Sequence, residues 1–305
     1  MEVIVKNISK SYDKKKVLAL SDISFEVNSG ELFGLIGPDG AGKTSLFRIL
    51  ATLLLPDEGS ASLHGFDVVK SYKQIRKLLG YMPGKFSLYQ DLTIEENLDF
   101  FATLFNTTIK ENYDLIKDIY VQIEPFKNRR AGQLSGGMKQ KLALCCALIH
   151  RPTILLLDEP TTGVDAVSRK EFWEMLKNLK KQGITILVST PYMDEAMLCE
   201  RIALIQNGSI MSIDTPQGII DKYPYPLFAA RADNMGKLLK DLRSSSLISS
   251  CNTFGDYHHI CFVNDTYAKD IPDLKQDMIQ LGNQNIEIKP IEPTIEDCFI
   301  QLMQK

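Results

Sequence analysis

The sequence predicts an α/β fold with a mixed or parallel sheet at its core, a helical insert, and a smaller α+β domain towards the C-terminus. Three observations carry that prediction. Apolar Leu32-Phe33-Gly34-Leu35-Ile36 leads through a glycine-rich loop straight into the helical pattern 45–54, the strand, loop and helix succession of a parallel α/β sheet. A second buried-strand run, 153–157, delivers Asp158 and Glu159 at its C-terminal end. Beyond Tyr223-Pro224-Tyr225-Pro226 the pattern changes to β-α-β-β-α-β with a closing helix.

The loop, Gly37-Pro38-Asp39-Gly40-Ala41-Gly42-Lys43-Thr44 followed by Ser45, fits G-x-x-x-x-G-K-[ST]. Glycines let backbone N–H groups turn around phosphate oxygens, and the N-terminus of the next helix adds partial positive charge beneath them. In that role Lys43 reaches the β- and γ-phosphates of ATP, and Thr44 offers its hydroxyl to Mg2+. Ligands of open parallel sheets sit at the carboxyl ends of strands, so Asp158 and Glu159 are expected to face the same phosphates. Asp158 suits coordination of Mg2+, and Glu159 suits positioning and polarising an attacking water. Many strands end in solvated acids, so this pair takes its meaning from the phosphate loop upstream.

Leu134-Ser135-Gly136-Gly137-Met138-Lys139-Gln140 stands between those two segments and precedes a helical run over 141–150. Read alone it is a serine N-cap with flexible glycines. In this place it resembles the signature sequence of ATP-binding cassette (ABC) ATPases. Gly163-Val164-Asp165 matches that family's D-loop, and Tyr12 matches the aromatic residue that stacks on adenine. The resemblance covers residues 1 to about 220 with strong motifs and continues more weakly beyond. It implies a P-loop NTPase fold of ABC type, with ATP and Mg2+ as cofactors. It also implies a second cassette as partner: Ser135, Gly136 and Gly137 form an anion site that in this family completes another chain's phosphate loop. Such a head-to-tail pair satisfies two-fold symmetry as a homodimer or a heterodimer.

Two positions depart from the family pattern, and both belong to the hydrolysis machinery. After Leu79-Gly80-Tyr81-Met82-Pro83 the family places a glutamine, and this chain has Gly84. After Ile184-Thr185-Ile186-Leu187-Val188-Ser189-Thr190 the family places a histidine that contacts the γ-phosphate, and this chain has Pro191. Proline offers neither an imidazole nor a backbone N–H. Gln90 and the histidines at 64, 150, 258 and 259 fall at other places in the sequence and are expected to be core or surface residues. A site that grips nucleotide but turns over slowly follows, paired with a more active partner site.

Composition fits this reading. The chain has 305 residues, 44% of them hydrophobic, enough for more than one core. A formal net charge of −3 argues against a nucleic-acid binder driven by bulk charge, so no nucleic-acid partner is expected. The six cysteines show no C-x-x-C pairing and read as small apolar residues of a reducing compartment. No run approaches the ~18–20 apolar residues that cross a bilayer, and the N-terminus opens into a strand pattern with no secretory signal. The expectation is a cytoplasmic protein, peripheral at the inner face of the cell membrane through separate membrane-spanning permease subunits.

Two domains are expected: residues 1–222, holding a helical insert at about 91–150, and residues 223–305. The insert opens on the capping box Thr93-Ile94-Glu95-Glu96 and continues in helical period over 112–124. The resemblance implies that this insert meets the membrane subunits, with Phe86, Leu88 and Tyr89 either contacting them or packing inside the insert. Asn207-Gly208 marks a hairpin. The C-terminal order matches a ferredoxin-like unit, and Pro293-Thr294-Ile295-Glu296-Asp297-Cys298-Phe299 resembles the closing segment of ABC-2 type exporter ATPases. The leading reading is therefore the ATP-hydrolysing subunit of an ABC-2 type exporter. A soluble ABC ATPase acting on ribosomes or DNA, and an ATP-holding regulator with little hydrolysis, stand as alternatives.

Overall fold

The computed structural model describes residues 1–13, 16–263 and 267–304. The chain divides into two compact units, Met1–Ile219 and Ile220–Lys305.

In the first unit β1 (Val3–Tyr12) and β2 (Val17–Val27) pair antiparallel, and β4 (Glu58–Leu63) and β5 (Phe66–Asp67) extend them into one sheet, ordered β2-β1-β4-β5. The second sheet contains β3 (Leu32–Ile36), β6 (Leu79–Met82), β7 (Ile154–Asp158), β8 (Thr185–Thr190), β9 (Arg201–Gln206) and β10 (Ser209–Asp214). Its order is β10-β9-β3-β8-β7-β6, with only the β9–β10 hairpin antiparallel. Strands β3, β7 and β8 are buried along their whole length, the pattern of a parallel sheet covered on both faces. The parallel register puts the residues after Ile36, Met82, Asp158 and Thr190 on one carboxyl edge.

Helix α1 (Lys43–Leu50) follows β3, and its bounds correct the expected 45–54. It starts earlier because Gly42, at φ 106, turns the chain directly into the helix. It stops earlier because Thr52 takes a left-handed φ of 61, and the Leu53 and Leu54 amides both donate back to the Arg48 carbonyl. Helix α2 (Tyr72–Leu78) leads into β6.

The insert contains α3 (Ile94–Leu104), α4 (Tyr113–Tyr120) and α5 (Gly136–Leu148). Thr93 caps α3 through the expected box, with Glu96 reciprocating. The helix expected over 112–124 closes at Tyr120 and gives way to a short 3-10 turn at Glu124–Phe126, where Pro125 has no N–H to continue it. Helix α5 begins five residues before the expected 141, because Ser135 caps it: its hydroxyl accepts from the Met138 amide at 3.4 Å. Helix α6 (Ala166–Lys181) packs Phe172, Trp173, Leu176 and Leu179 inward, and Gly183 at φ 90 turns the chain out of it. Residues Met193–Leu198 form a 3-10 segment. The short helix α7 (Pro216–Ile220) has no counterpart in the sequence expectations.

The second unit contains β11 (Leu227–Arg231), α8 (Met235–Ser244), β12 (Ile248–Phe254), β13 (Tyr257–Phe262), α9 (Tyr267–Gln280), β14 (Glu287–Ile291) and α10 (Ile295–Met303). The sheet order β12-β13-β11-β14, all antiparallel, is that of a ferredoxin-like unit. Phe228, Leu238, Leu242, Ile260, Leu274 and Met278 form its core. All six cysteines are buried and none forms a disulfide among the described residues, and no described helix is long and apolar enough to cross a membrane.

Candidate active site

The phosphate loop is held from two sides. The Gly37 amide donates to the Thr190 carbonyl at 3.2 Å, and the Gly208 amide of the β9–β10 turn donates to Ala41 O at 3.0 Å. A Cβ on Gly42 would sit 2.4 Å from Ala19 O, and one on Gly37 would sit 2.1 Å from Ile205 O, so backbone approach demands glycine at both, and at Gly42 the φ of 106 demands it as well. Pro38, Asp39 and Gly40 form the open crest of the loop.

Lys43 is buried, and its ammonium is fully engaged. Nζ donates to Gly37 O at 2.8 Å and Pro38 O at 3.0 Å, and it lies 3.0 Å from Glu159 Oε1. Glu159 takes a left-handed φ of 51, and its amide donates to both the carbonyl and the hydroxyl of Ser189, each at 3.0 Å. Residues at such backbone positions are over-represented at functional sites.

Asp158 is 1% exposed. Its Oδ1 accepts from the Ser189 hydroxyl at 2.6 Å and from the Thr44 hydroxyl at 3.2 Å. Hydroxyl donors orient a carboxylate without neutralising it, and a hydroxyl beside an oriented carboxylate is the oxygen donor set a hard divalent cation takes. Thr44 and Asp158 therefore fit Mg2+. Burial, and then the Asp158 carboxylate, push the nearby Tyr81 phenol up to about 12.

Tyr12 lies beside this loop, its hydroxyl 3.0 Å from Ser45 Oγ, with 38% of the residue exposed. Gly84 sits against the end of β7: a Cβ there would lie 3.0 Å from Asp158 O and 3.8 Å from Glu159 Cβ. Pro191 follows Thr190 at the same carboxyl edge.

Ser135, Gly136 and Gly137 are placed against a different segment. A Cβ on Gly136 would lie 3.4 Å from Gly163 O, and one on Gly137 would lie 2.6 Å from Ser168 Oγ. Asp165 caps α6, accepting from the Val167 and Ser168 amides at 3.1 and 3.0 Å, and the Ser168 hydrogen bond leads in holding its carboxyl below the usual range. The structure thus groups Tyr12 and the loop with Asp158 and Glu159, and groups the glycine pair with the Gly163-Val164-Asp165 turn. Sequence reasoning passed over Ser189, whose hydroxyl links Asp158 to Glu159. The signal was present: a serine closing an apolar strand.

Each of the four histidines has a local partner. His150 stacks on Phe105 at 3.8 Å, and His64 pairs with Glu2. His258 Nε2 lies 2.8 Å from Met235 O, and His259 pairs with Asp297. A cavity of about 590 Å³ opens between α5 and β6, lined by Met82, Phe86, Leu88, Phe101, Phe105 and Ala143 among others. Leu88 is buried, whereas Tyr89 is half-exposed and meets Phe100 edge to face.

The sequence family described as ABC transporter matches residues 20–162. Over 306 residues the chain is 36% identical to the probable multidrug ABC transporter ATP-binding protein YbhF of Escherichia coli, covering 99% of this chain and 52% of that protein. The chain therefore spans about half the length of this relative. It is 31% identical to the doxorubicin resistance ATP-binding protein DrrA of Mycobacterium tuberculosis, covering 99% of this chain and 93% of that one. The Nod factor export ATP-binding protein I of Rhizobium sp. is also 31% identical, covering 97% of this chain and 94% of that one. Among solved structures, an ATP-binding subunit of an ABC transporter superposes with a TM-score of 0.66 at 27% identity, covering 73% of this chain and 93% of that one. The dimeric post-hydrolysis form of the cassette MJ0796 with ADP and Pi gives 0.63 at 26% identity, covering 70% and 98%. With a phosphate loop, paired acids and signature helix in these positions, and relatives matched over nearly their whole length, the chain belongs to the ABC transporter family of P-loop ATPases.

Proposed function

We propose that this chain is the ATP-binding and ATP-hydrolysing subunit of an ABC-type exporter, with a slow site of its own that works beside a more active partner cassette. The observation that carries the reading is the convergence of Lys43, Thr44, Asp158 and Glu159 on one carboxyl edge, with Gly84 and Pro191 at the flanking positions. Residues Gly37, Pro38, Asp39, Gly40, Ala41, Gly42, Lys43, Thr44 and Ser45 hold the phosphates of ATP, and Tyr12 holds the adenine. Thr44 and Asp158 would hold Mg2+, which when bound would offset the negative charge of the phosphates. Glu159 orients the attacking water, and Ser189 fixes Glu159 by accepting its amide. Gly84 and Pro191 supply no polar side chain to that water or to the γ-phosphate, and positioning is most of what this chemistry asks of a protein.

The exposed Ser135 and Gly136, with Gly137 and Asp165, complete a partner cassette's site across a two-fold or pseudo-two-fold dimer. A membrane-subunit segment seated in the apolar cavity bordered by Phe86 and Phe101 would hold the chain at the inner face of the membrane. Residues 1–222 form the nucleotide-binding cassette and 223–305 an accessory domain. Export, as opposed to import, is supported by the names of the doxorubicin resistance and Nod factor export relatives.

The test is ATP turnover by the pure chain, alone and mixed with the candidate partner cassette, with Glu159→Gln and the matching substitution in the partner. Activity that appears only in the mixture, survives Glu159→Gln here and is lost with the partner's substitution supports unequal sites. Ordinary turnover by the pure chain, abolished by Glu159→Gln, refutes the slow site and leaves a working homodimer.

A further inference from the structure

Glu195 is 1% exposed, and a buried carboxylate is costly unless its partners are good. Its Oε1 accepts from the Thr161 hydroxyl at 2.8 Å, and its Oε2 accepts from the Thr190 hydroxyl at 2.5 Å. Arg169 Nε lies 3.6 Å from Oε1, supplying the opposite charge. Arg169 is itself fixed, lying 4.8 Å over the Tyr192 ring and donating to Asp194 at 2.6 Å.

Each partner belongs to a different part of the site. Thr161 lies two residues beyond Glu159, and its carbonyl accepts from the Val164 amide at 3.3 Å, inside the turn that ends at Asp165. The Thr190 carbonyl accepts from the Gly37 amide at the root of the phosphate loop, and the Thr190 hydroxyl accepts from the Tyr192 amide at 3.1 Å. The Arg169 amide donates to Asp165 O at 2.9 Å. One carboxylate thus spans the turn after Glu159, the segment carrying Pro191, and the helix capped by Asp165.

We propose that Glu195 is a positioning residue whose buried carboxylate clamps Thr161 to Thr190, fixing Glu159 and the Gly163-Val164-Asp165 turn against the phosphate loop in a chain whose residue 191 is proline. The inference rests on the reading of Glu159 as the acid that orients water. A misplacement of about 1 Å in such geometry costs on the order of 10²-fold in rate, so the clamp acts on turnover with little effect on nucleotide affinity. Glu195→Gln preserves both clamp contacts, since the new carbonyl accepts from one hydroxyl and the new amide donates to the other.

The test uses the full chain in excess over γ-labelled ATP, so that a single slow turnover is measurable, with Mg·ADP affinity followed in parallel. Glu195→Ala is expected to slow phosphate release by about 10²-fold while the Kd stays within about threefold, Thr161→Val to slow it less, and Glu195→Gln to recover most of the rate. An alanine variant as fast as wild type overturns the proposal, as does one that loses rate and affinity together. Absence of phosphate release from wild type refutes hydrolysis at this site. The clamp is then read from amide exchange over residues 161–165 with Mg·ADP bound. Faster exchange there in Glu195→Ala, restored in Glu195→Gln, supports the clamp, and unchanged exchange overturns it.

Discussion

Lys43 Nζ lies 3.0 Å from Glu159 Oε1, so the lysine that is to grip phosphate is bonded to the acid that is to direct water. The same ammonium donates to Gly37 O and Pro38 O, which leaves each of its three protons a partner. Incoming phosphate oxygens must compete with a carboxylate for a cation that is already satisfied. Glu159→Gln removes that negative charge while keeping the shape. The variant is expected to bind Mg·ADP roughly 3- to 10-fold more tightly than wild type, besides losing turnover, as a nearby charge in a partly buried site is worth on the order of 1 kcal/mol. Calorimetric titration checks this; equal or weaker affinity shows that the ion pair does not oppose binding.

Two loop glycines separate conformational need from steric need. Gly40 and Gly42 both have positive φ, at 79 and 106. An added Cβ at Gly40 meets nothing within 4 Å, whereas at Gly42 it lies 2.4 Å from Ala19 O. Gly40→Ala is expected to cost about 1–2 kcal/mol of local strain and to retain nucleotide binding. Gly42→Ala must displace backbone of β2, and its Mg·ADP affinity is expected to fall by at least about 10²-fold. Measured affinities that fall equally in the two variants contradict this reading.

Most of the site was legible because each of its functional groups lies in a short segment with its own spacing. The phosphate loop, the acids at 158 and 159, and the Ser135 cap follow from local sequence and strand-end position. Ser189, Thr161 and Glu195 were harder, since their roles arise from pairings between segments about 30 residues apart in sequence, which no periodicity records. Helix bounds slipped where a single left-handed residue intervenes, as at Thr52, a conformation β-branched side chains rarely take and sequence patterns do not flag. The order of strands and helices beyond residue 223 was legible because alternating and helical periods there change at turns. The cavity beside Phe86 was only half legible: Leu88 packs inward and Tyr89 stays exposed, although both are large apolar residues in one run.

His150 supplies a pH prediction. Burial pushes its imidazole down from 6.5 to about 4, against a partial opposing effect of the Leu79 carbonyl. Its Nδ1 is buried without a partner, and its ring stacks on Phe105. In the unfolded chain the ring titrates near 6.5, so between about pH 6.5 and 4 the unfolded state binds a proton that the folded state refuses. The stability tied to neutral His150 is present above about 6.5 and declines as pH falls. His150→Gln, whose amide is able to donate to Leu79 O, is expected to show a shallower loss of Tm from pH 7 to pH 4.5. Parallel Tm curves for the two proteins exclude His150 as the source.

The proposed slow turnover rests on two residues, so restoring them is expected to raise the rate. Gly84→Gln places a carbonyl and an amide near Glu159, at the cost of a Cβ 3.0 Å from Asp158 O that the strand end must yield to by a few tenths of an ångström. Pro191→His adds an imidazole to the same carboxyl edge and returns a backbone N–H. Each substitution alone is expected to give a small gain, because positioning groups that act as a unit do not contribute independently. Together they are expected to raise single-turnover hydrolysis at this site by at least ~10-fold, since one such group typically supplies 10²–10³. Mg·ADP affinity should stay within about threefold, as Lys43, Thr44 and Asp158 are untouched. If the double variant binds nucleotide normally and still hydrolyses at the wild-type rate, Gly84 and Pro191 do not limit this site, and the Lys43–Glu159 pair becomes the better explanation of slow turnover.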